Sequence, residues 1–473
     1  MCNPDPVYAV HKDSSPAWHE LGRQFGVSTL ATCSAPNTIT AIKGQDMTSP
    51  AQQSLESPRL AALHRAVKAG NDTALAAFWH DVARLGTPLV EPTKGDDRQV
   101  LVTFLWRAQG ETRNVIVEGG LDGWGQDLTV SQMAHLPHTD LWYQTRRART
   151  DVRTTYLLAP NDPLTPLTEE TDWKARTATW QPDPLNPHTY FYPKDDEDPD
   201  DEDRTWSVLT LPAAAPQPWI TPHPGVPTGS VACHRLQSRI LDNERRVWVY
   251  LPPVYEPGGE PYGLLLLFDG CTYIDHIPTP TILDNLYAAK RLPPLVAVML
   301  TNPNGKTRGR ELPCYPPFAD FLSQELLPWI RHRYHVTTDP ARTVVAGASY
   351  GGLAAAFAGL RRPDLFGNVL SQSGAFWWKP EGDPEDEWLV RQFAVGPTLP
   401  LRFYLDVGLL ENKTDTCLSQ LAVNRHLRNV LHAKGYSVSY AEFSGGHDVL
   451  CWRGTFSDGL MALIDNRNVG GKG

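Results

Sequence analysis

Cysteine is scarce and unpatterned in this 473-residue chain. Seven residues are scattered from Cys2 to Cys451, with no C-x-x-C pair and no metal-ligand spacing. Free thiols in a reducing compartment are the simplest account. Positive charge is also short: 43 Lys and Arg stand against 53 Asp and Glu, a formal charge of −10. That balance argues against nucleic acid as a partner. Long apolar runs are missing too. The longest, 264–268 and 295–300, are strand-sized, far below the roughly 20 residues that span a bilayer. The opening residues, Met1-Cys2-Asn3-Pro4-Asp5-Pro6, lack a basic stretch followed by an apolar one. No secretory signal is expected, and the cytoplasm is the expected compartment. No internal repeat is evident.

What is present describes a globular protein: 41% hydrophobic residues and 15 Trp, with a mean hydropathy of −0.35. The length exceeds one ordinary core and predicts two or three domains. Residues 1–55, rich in Ser, Thr, Pro and Ala, read as an irregular or partly disordered segment. Helical patterns at 58–68 and 74–85 flank the breaker Gly70-Asn71-Asp72. Strand-like runs at 99–107, 114–118, 141–145 and 154–158, rich in β-branched and aromatic residues, predict a small β-sandwich within 56–211. The acidic run Asp195-Asp196-Glu197-Asp198-Pro199-Asp200-Asp201-Glu202-Asp203 could be a metal-binding loop. It reads better as a solvated, poorly ordered insertion. Six prolines within 212–227 mark a stiff linker and the clearest domain boundary.

Beyond it, 228–473 alternates strands (246–251, 264–268, 295–301, 343–346, 368–371, 401–407, 437–443) with helical segments such as 318–333 and 416–434. Several of the strands are continuously apolar, as strands buried on both faces must be. The alternation predicts an open, mostly parallel sheet covered on both sides. The fold expectation is an α/β-hydrolase catalytic domain preceded by a small β-sandwich.

The motif that carries chemistry is Gly347-Ala348-Ser349-Tyr350-Gly351, set between an apolar strand and a helix. This is G-x-S-x-G in a strand–turn–helix context, the setting of a nucleophile elbow. Ser349 is the candidate nucleophile. A serine hydroxyl needs a base, and the base needs an acid that fixes its tautomer. In such sheets the chain order is Ser, acid, His. His447, in Ser444-Gly445-Gly446-His447-Asp448, follows a strand and precedes a helix and is the candidate base. His426 and His432 lie in a charged helix and read as surface residues. For the acid, Asp406 at a strand end and Glu411 in the loop beyond both qualify. Glu411 is preferred because its loop can reach back to the imidazole. Asp448 reads as a helix cap. The oxyanion hole needs two N–H groups: one from Tyr350, the other from Gly270 or Cys271 after the strand ending Phe268-Asp269.

Together, Gly347 to Gly352, Ser371-Gln372-Ser373-Gly374 with Phe376-Trp377-Trp378, and Gly445-Gly446-His447-Asp448 followed by Cys451-Trp452-Arg453-Gly454 resemble the enterochelin (enterobactin) esterases. These are ferric-siderophore hydrolases of the esterase D-like branch of α/β-hydrolases. Arg308-Gly309-Arg310-Glu311-Leu312 looks like the family's R-x-x-E-L segment. Val102 to Arg107, Thr139 to Trp142, Tyr156 and Asp183-Pro184-Leu185-Asn186-Pro187 look like its N-terminal β-sandwich, and 212–219 resembles its linker. The resemblance covers about 57–473. It implies hydrolysis of the lactone bonds of a ferric catecholate siderophore such as enterobactin. The iron would be substrate cargo, with no protein cofactor or metal. Residues 1–55 and the acidic run have no counterpart in the family pattern.

A ferric tris-catecholate is a trianion, so the pocket is expected to supply local positive charge. Lys306-Thr307-Arg308-Gly309-Arg310 is the densest basic cluster of the catalytic half. Arg308 and Arg310 are the expected catecholate contacts, with Lys306 a weaker third; the alternative is pairing with Glu311 and surface acids. Trp377 and Trp378 could wall the pocket or fill core. Arg453 could position the His447 loop. Two other functions stay open. One is a different esterase D-like hydrolase, of carbohydrate acyl or feruloyl type; the other is a siderophore-binding protein on an inactive scaffold. Sequence is silent on oligomeric state.

Overall fold

The computed structural model describes residues 55–464 except 124–127, 166–168, 200 and 413–417. The expectation for 1–55 therefore falls almost wholly outside the described residues. The two helical patterns form helices Pro58–Lys68 and Ala74–Leu85. Ser57 caps the first, its hydroxyl accepting from Leu60 N–H, as a residue before the first helical turn should.

Eight strands follow: β1 (Leu89–Pro92), β2 (Gln99–Arg107), β3 (Val115–Gly119), β4 (Ala134–His135), β5 (Leu141–Arg149), β6 (Arg153–Pro160), β7 (Thr189–Tyr192) and β8 (Arg204–Thr210). They make two antiparallel four-stranded sheets, ordered β1-β2-β5-β4 and β3-β6-β8-β7. Val102 and Phe104 of the first pack against Val115, Val117, Tyr156 and Leu158 of the second, closing a sandwich core. The two helices cover the other face of the first sheet, where Leu60, Trp79 and Val82 meet Leu89, Leu105 and Tyr143. Strands β1, β4, β7 and β8 are not among the strands expected from the sequence. They are short or polar-flanked, and their places are set by pairing partners.

The larger sheet contains β9 (Ser230–Ser238), β10 (Asn243–Leu251), β11 (Gly263–Phe268), β12 (Leu295–Leu300), β13 (Thr343–Ala348), β14 (Asn368–Gln372), β15 (Arg402–Gly408) and β16 (Ser437–Phe443). Their order is β16-β15-β14-β13-β11-β12-β10-β9. From β16 to β12 every neighbouring pair is parallel; β10 and β9 are added antiparallel at one edge. The continuous leucines of β11 are explained by two-sided burial. Leu264, Leu266 and Phe268 face the helices that include 350–361 and 420–433. Leu265 and Leu267 face those at 279–288 and 449–463. The helix expected over 318–333 is one continuous run with a π-helical turn at Leu322–Leu326. No described helix is long and apolar enough to cross a membrane.

Residues 212–227 contain no helix or strand, yet they are strapped down. Asn285 Nδ2 donates to the carbonyls of Trp219 and Thr221, and Gln217 Nε2 to that of Leu450.

The acidic run departs from expectation. Apart from residue 200, which lies outside the described residues, it is folded on itself and packed against the catalytic half. Asp195 pairs with Arg246 of β10, and Asp198 Oδ2 accepts from Gly305 N–H. Ion pairing, absent from any single-residue reading, turns a solvated insertion into a wall.

Candidate active site

At the C-terminal end of β13 the chain turns sharply into the helix Tyr350–Arg361. Ser349 occupies the turn with φ of +56°, a conformation costly to any residue bearing a Cβ. Neighbouring pairing holds it there: Ser349 N–H donates to Gln372 O, and Ser349 O accepts from Ala375 N–H. Gly347 is required because a Cβ there would lie 2.5 Å from the carbonyl carbon of Gly351. The turn presents Ser349 to a cavity of about 520 Å³, lined also by His447, Gly270 and Cys271.

His447 sits in the loop between β16 and the helix Val449–Leu463. Its Nδ1 is 2.7 Å from Oε2 of Glu411. The carboxylate accepts and Nδ1 donates, the tautomer in which a neutral ring carries its lone pair on Nε2. Nε2 is buried and has no hydrogen-bond partner among the described residues. Glu411 is itself held. Its Oε1 accepts from Gly408 N–H at 2.7 Å and from Ser373 Oγ at 2.5 Å. Ser373 Oγ accepts in turn from Trp452 Nε1, and the Trp452 ring meets His447 edge-to-face at 4.8 Å. This buried network orients both carboxylate and imidazole.

Asp406 lies elsewhere. A residue of β15, it has a fully buried carboxyl within reach of Gln372 and Thr455, with Oδ1 unpartnered among the described residues. Burial first, and then repulsion from Glu411, push its pKa up to about 7, against the pull of those two hydrogen bonds. Asp448 does cap the last helix, its Oδ1 accepting from Leu450 N–H. Its other oxygen accepts from both the N–H and the hydroxyl of Thr155 in β6. The sandwich thus touches the histidine loop directly, a link sequence gave no sign of. Arg153 N–H to Ser444 O at 3.0 Å and Arg149 Nε to Ser444 Oγ add to it.

Gly270 and Cys271 both border the cavity beside Ser349. A Cβ on Gly270 would lie 2.8 Å from the backbone of Met299, so only glycine lets this loop approach its neighbouring strand. The preceding Asp269 has φ of +57°, and its carboxylate is clamped by Arg308 through two bonds of 2.7 and 2.8 Å. Arg308, the expected catecholate contact, lines the cavity; its Nε and Nη2 are engaged by Asp269, and its guanidinium lies over the Tyr350 ring.

Arg310 and Lys306 do not border the cavity. Arg310 is 58% exposed and pairs with Glu311. Glu311, wholly buried, is bonded to Arg245. Trp377 and Trp378 also fall outside the cavity lining: both are half-buried against the core, Trp377 Nε1 donating to Gln420 and Trp378 packing on Trp388. Arg453 turns to the 212–227 strap, donating to Gln217 Oε1.

Sequence reading missed the far wall. It is built by Tyr192 of β7, Arg204 and Trp206 of β8, Arg246 and Trp248 of β10, and His276. Burial holds His276 neutral, with its pKa lowered to about 4. The three consecutive aromatics Tyr190-Phe191-Tyr192 were the available signal for β7. Among the described residues no group of three or more His, Cys, Asp or Glu is arranged to hold a metal ion.

Comparison with known proteins follows the same two-part division. Residues 101–220 match the family model "Enterochelin esterase, N-terminal", and 238–463 match the Esterase family model. The iron(III) enterobactin esterase of Dickeya dadantii is 34% identical over 422 residues, covering 82% of this chain and 92% of the relative. The iron(III) salmochelin esterase of Escherichia coli is 30% identical, covering 85% and 97%. The crystal structure of the Shigella flexneri enterobactin esterase in the presence of enterobactin superposes with a TM-score of 0.63, at 29% identity, over 82% of this chain and 97% of that one.

Proposed function

Since the chain belongs to the enterobactin (enterochelin) esterase family, we propose that it hydrolyses the lactone bonds of a catecholate siderophore through Ser349, His447 and Glu411. Ser349 Oγ attacks a lactone carbonyl while His447 Nε2 takes its proton, and Glu411 holds the imidazole in the required tautomer. The N–H groups of Tyr350 and of the Gly270–Cys271 turn receive the oxyanion. His447 then returns the proton to the departing serine hydroxyl and activates water against the acyl-enzyme. Opening the ring loosens the iron chelate, so iron leaves as cargo. This role puts the enzyme in the cytoplasm, where siderophore iron is used.

The observation that carries the reading is the 2.7 Å contact of His447 with Glu411 in the cavity that Ser349 borders. We further propose the division into a sandwich domain at 56–211, a linker at 212–227 and a catalytic domain at 228–473; the separate cores favour it. The test is product analysis: enterobactin and its ferric complex are each incubated with the protein and with Ser349→Ala. Linear trimers, dimers or monomers should form only with the native serine. Intact trilactone after incubation with the unmodified protein would refute the assignment.

A further inference from the structure

The charge around the cavity runs against what a ferric tris-catecholate needs. Among the described residues four cations border it, and each of the four faces a carboxylate. Arg308 is clamped on Asp269, and Arg246 is paired with Asp195 and Glu197. Arg204 pairs with Asp201, and Lys194 with Asp196. Three of these four pairs use acids of one short segment, 195–201. Among the described residues seven aspartates border the cavity against those four cations; one of them, Asp198, accepts from Gly305 N–H at Oδ2.

The segment is not a loose tail that substrate could brush aside. Asp195 N–H donates to Asp201 Oδ2, Glu197 N–H to Asp195 Oδ1, and Lys194 N–H to Asp203 Oδ1. Cys271, beside the expected oxyanion turn, donates its thiol to Asp195 at 3.2 Å. The acids are thus anchored on one side to themselves and on the other to the cavity floor. A trianion entering here meets guanidinium groups already neutralised and a surplus of fixed negative charge.

We propose that residues 194–198 and 201–204 make this pocket discriminate by charge, so that the neutral, iron-free trilactone is hydrolysed faster than its ferric trianion. The inference rests on the siderophore-esterase reading above and sharpens its substrate. Neutral catechols lose nothing to the acidic wall, and their rings can lie on the aromatic surface of Tyr192, Trp206 and Trp248. The ferric complex must enter against a repulsive field, and fields of this kind change association of charged ligands by roughly 10- to 1,000-fold.

The test compares kcat/KM for enterobactin and for ferric enterobactin on the full chain. The unmodified protein should favour the iron-free form by about tenfold or more. Asp195→Asn, which leaves Arg246 facing Glu197 alone, should shrink that preference by about tenfold. Asp196→Asn should shrink it by about threefold; its side chain is 85% exposed, so this variant folds whatever becomes of the first. Raising NaCl should shrink the preference in the unmodified protein, because salt screens the wall. Equal rates, or a faster ferric complex, would overturn the proposal. So would a preference unmoved in Asp196→Asn and by salt. If neither trilactone is cut while a simple aryl ester is, the siderophore reading fails instead. The charge preference is then decided on two aryl esters that differ only by a sulfonate.

Discussion

Thr155 of the sandwich strand β6 donates twice to one oxygen of Asp448, 2.8 Å from its N–H and 2.5 Å from its hydroxyl. Asp448 follows His447 directly and caps the helix behind it. The two halves of the chain therefore meet at the residue next to the candidate base. Thr155→Val keeps the shape and the N–H but removes the hydroxyl, leaving a buried carboxylate one donor short, at a cost of about 1–3 kcal/mol. The expected result is a lower kcat with KM for a small aryl ester little changed, and rescue by Thr155→Ser. Equal kcat in Thr155→Val and Thr155→Ser would show that the contact does not hold the loop.

Ser349→Ala and His447→Ala should each lower kcat by about 10⁴-fold or more, as loss of a nucleophile or its base does in serine hydrolases. Binding of the trilactone, followed by quenching of tryptophan fluorescence, should persist in both variants. Appreciable turnover by either would remove that residue from the reaction.

The two carboxylates near the histidine separate cleanly by substitution. Glu411→Gln offers Nδ1 an amide in place of a carboxylate and should cost about 10³- to 10⁴-fold in kcat. Asp406→Asn should turn over nearly normally, but its stability profile should change. The folded Asp406 keeps its proton up to about pH 7, whereas the unfolded carboxyl ionises near its usual 3.8. Between those values the native state binds more protons, so this group's contribution is fully present below about pH 4 and is lost as pH rises toward 7. Thermal melts of Asp406→Asn should therefore gain on the unmodified protein between pH 4 and 7. Parallel Tm curves for the two would contradict the burial of that carboxyl.

Arg308 bears on the reaction through Asp269 and the glycine after it. Arg308→Lys loses the two-pronged clamp, and the turn that borders Ser349 should drift. The expected loss in kcat, about tenfold, should be the same for a neutral aryl ester and for ferric enterobactin. A loss confined to the ferric complex would return Arg308 to direct charge recognition. Arg310→Ala, outside the cavity, should leave both rates unchanged.

Arg245 and Glu311 form an ion pair with both side chains fully buried at 2.8 Å. Glu311→Ala strands the guanidinium in the core beneath Phe318 and Phe321. Breaking one partner of such a pair costs about 3–5 kcal/mol, which denaturant titration would read directly. A midpoint within error of the unmodified protein would refute that estimate.

Much of this molecule was legible in the chain because local physics left little choice. A run such as Leu264 to Phe268 has no solvent face and must be a strand covered on both sides. Ser349 needs small neighbours at a strand-to-helix turn, and Gly347 and Gly351 announce it. The order nucleophile, acid, base, with Ser349 and His447 at its ends, followed from topology, while Asp406 and Glu411 both stood open as the acid. Charge was different. Arg308, Arg310 and the acidic run carry the same formal charges in any fold, and only the three-dimensional pairing decides which remain available to a ligand. Asp269 silenced Arg308, Asp195 silenced Arg246, and the sandwich strands carried acids and aromatics into a wall that no spacing foretold. Periodicity and turn chemistry are local and survive in the sequence. Which charges neutralise each other depends on contacts between residues far apart in the chain, and the tertiary structure alone settles it.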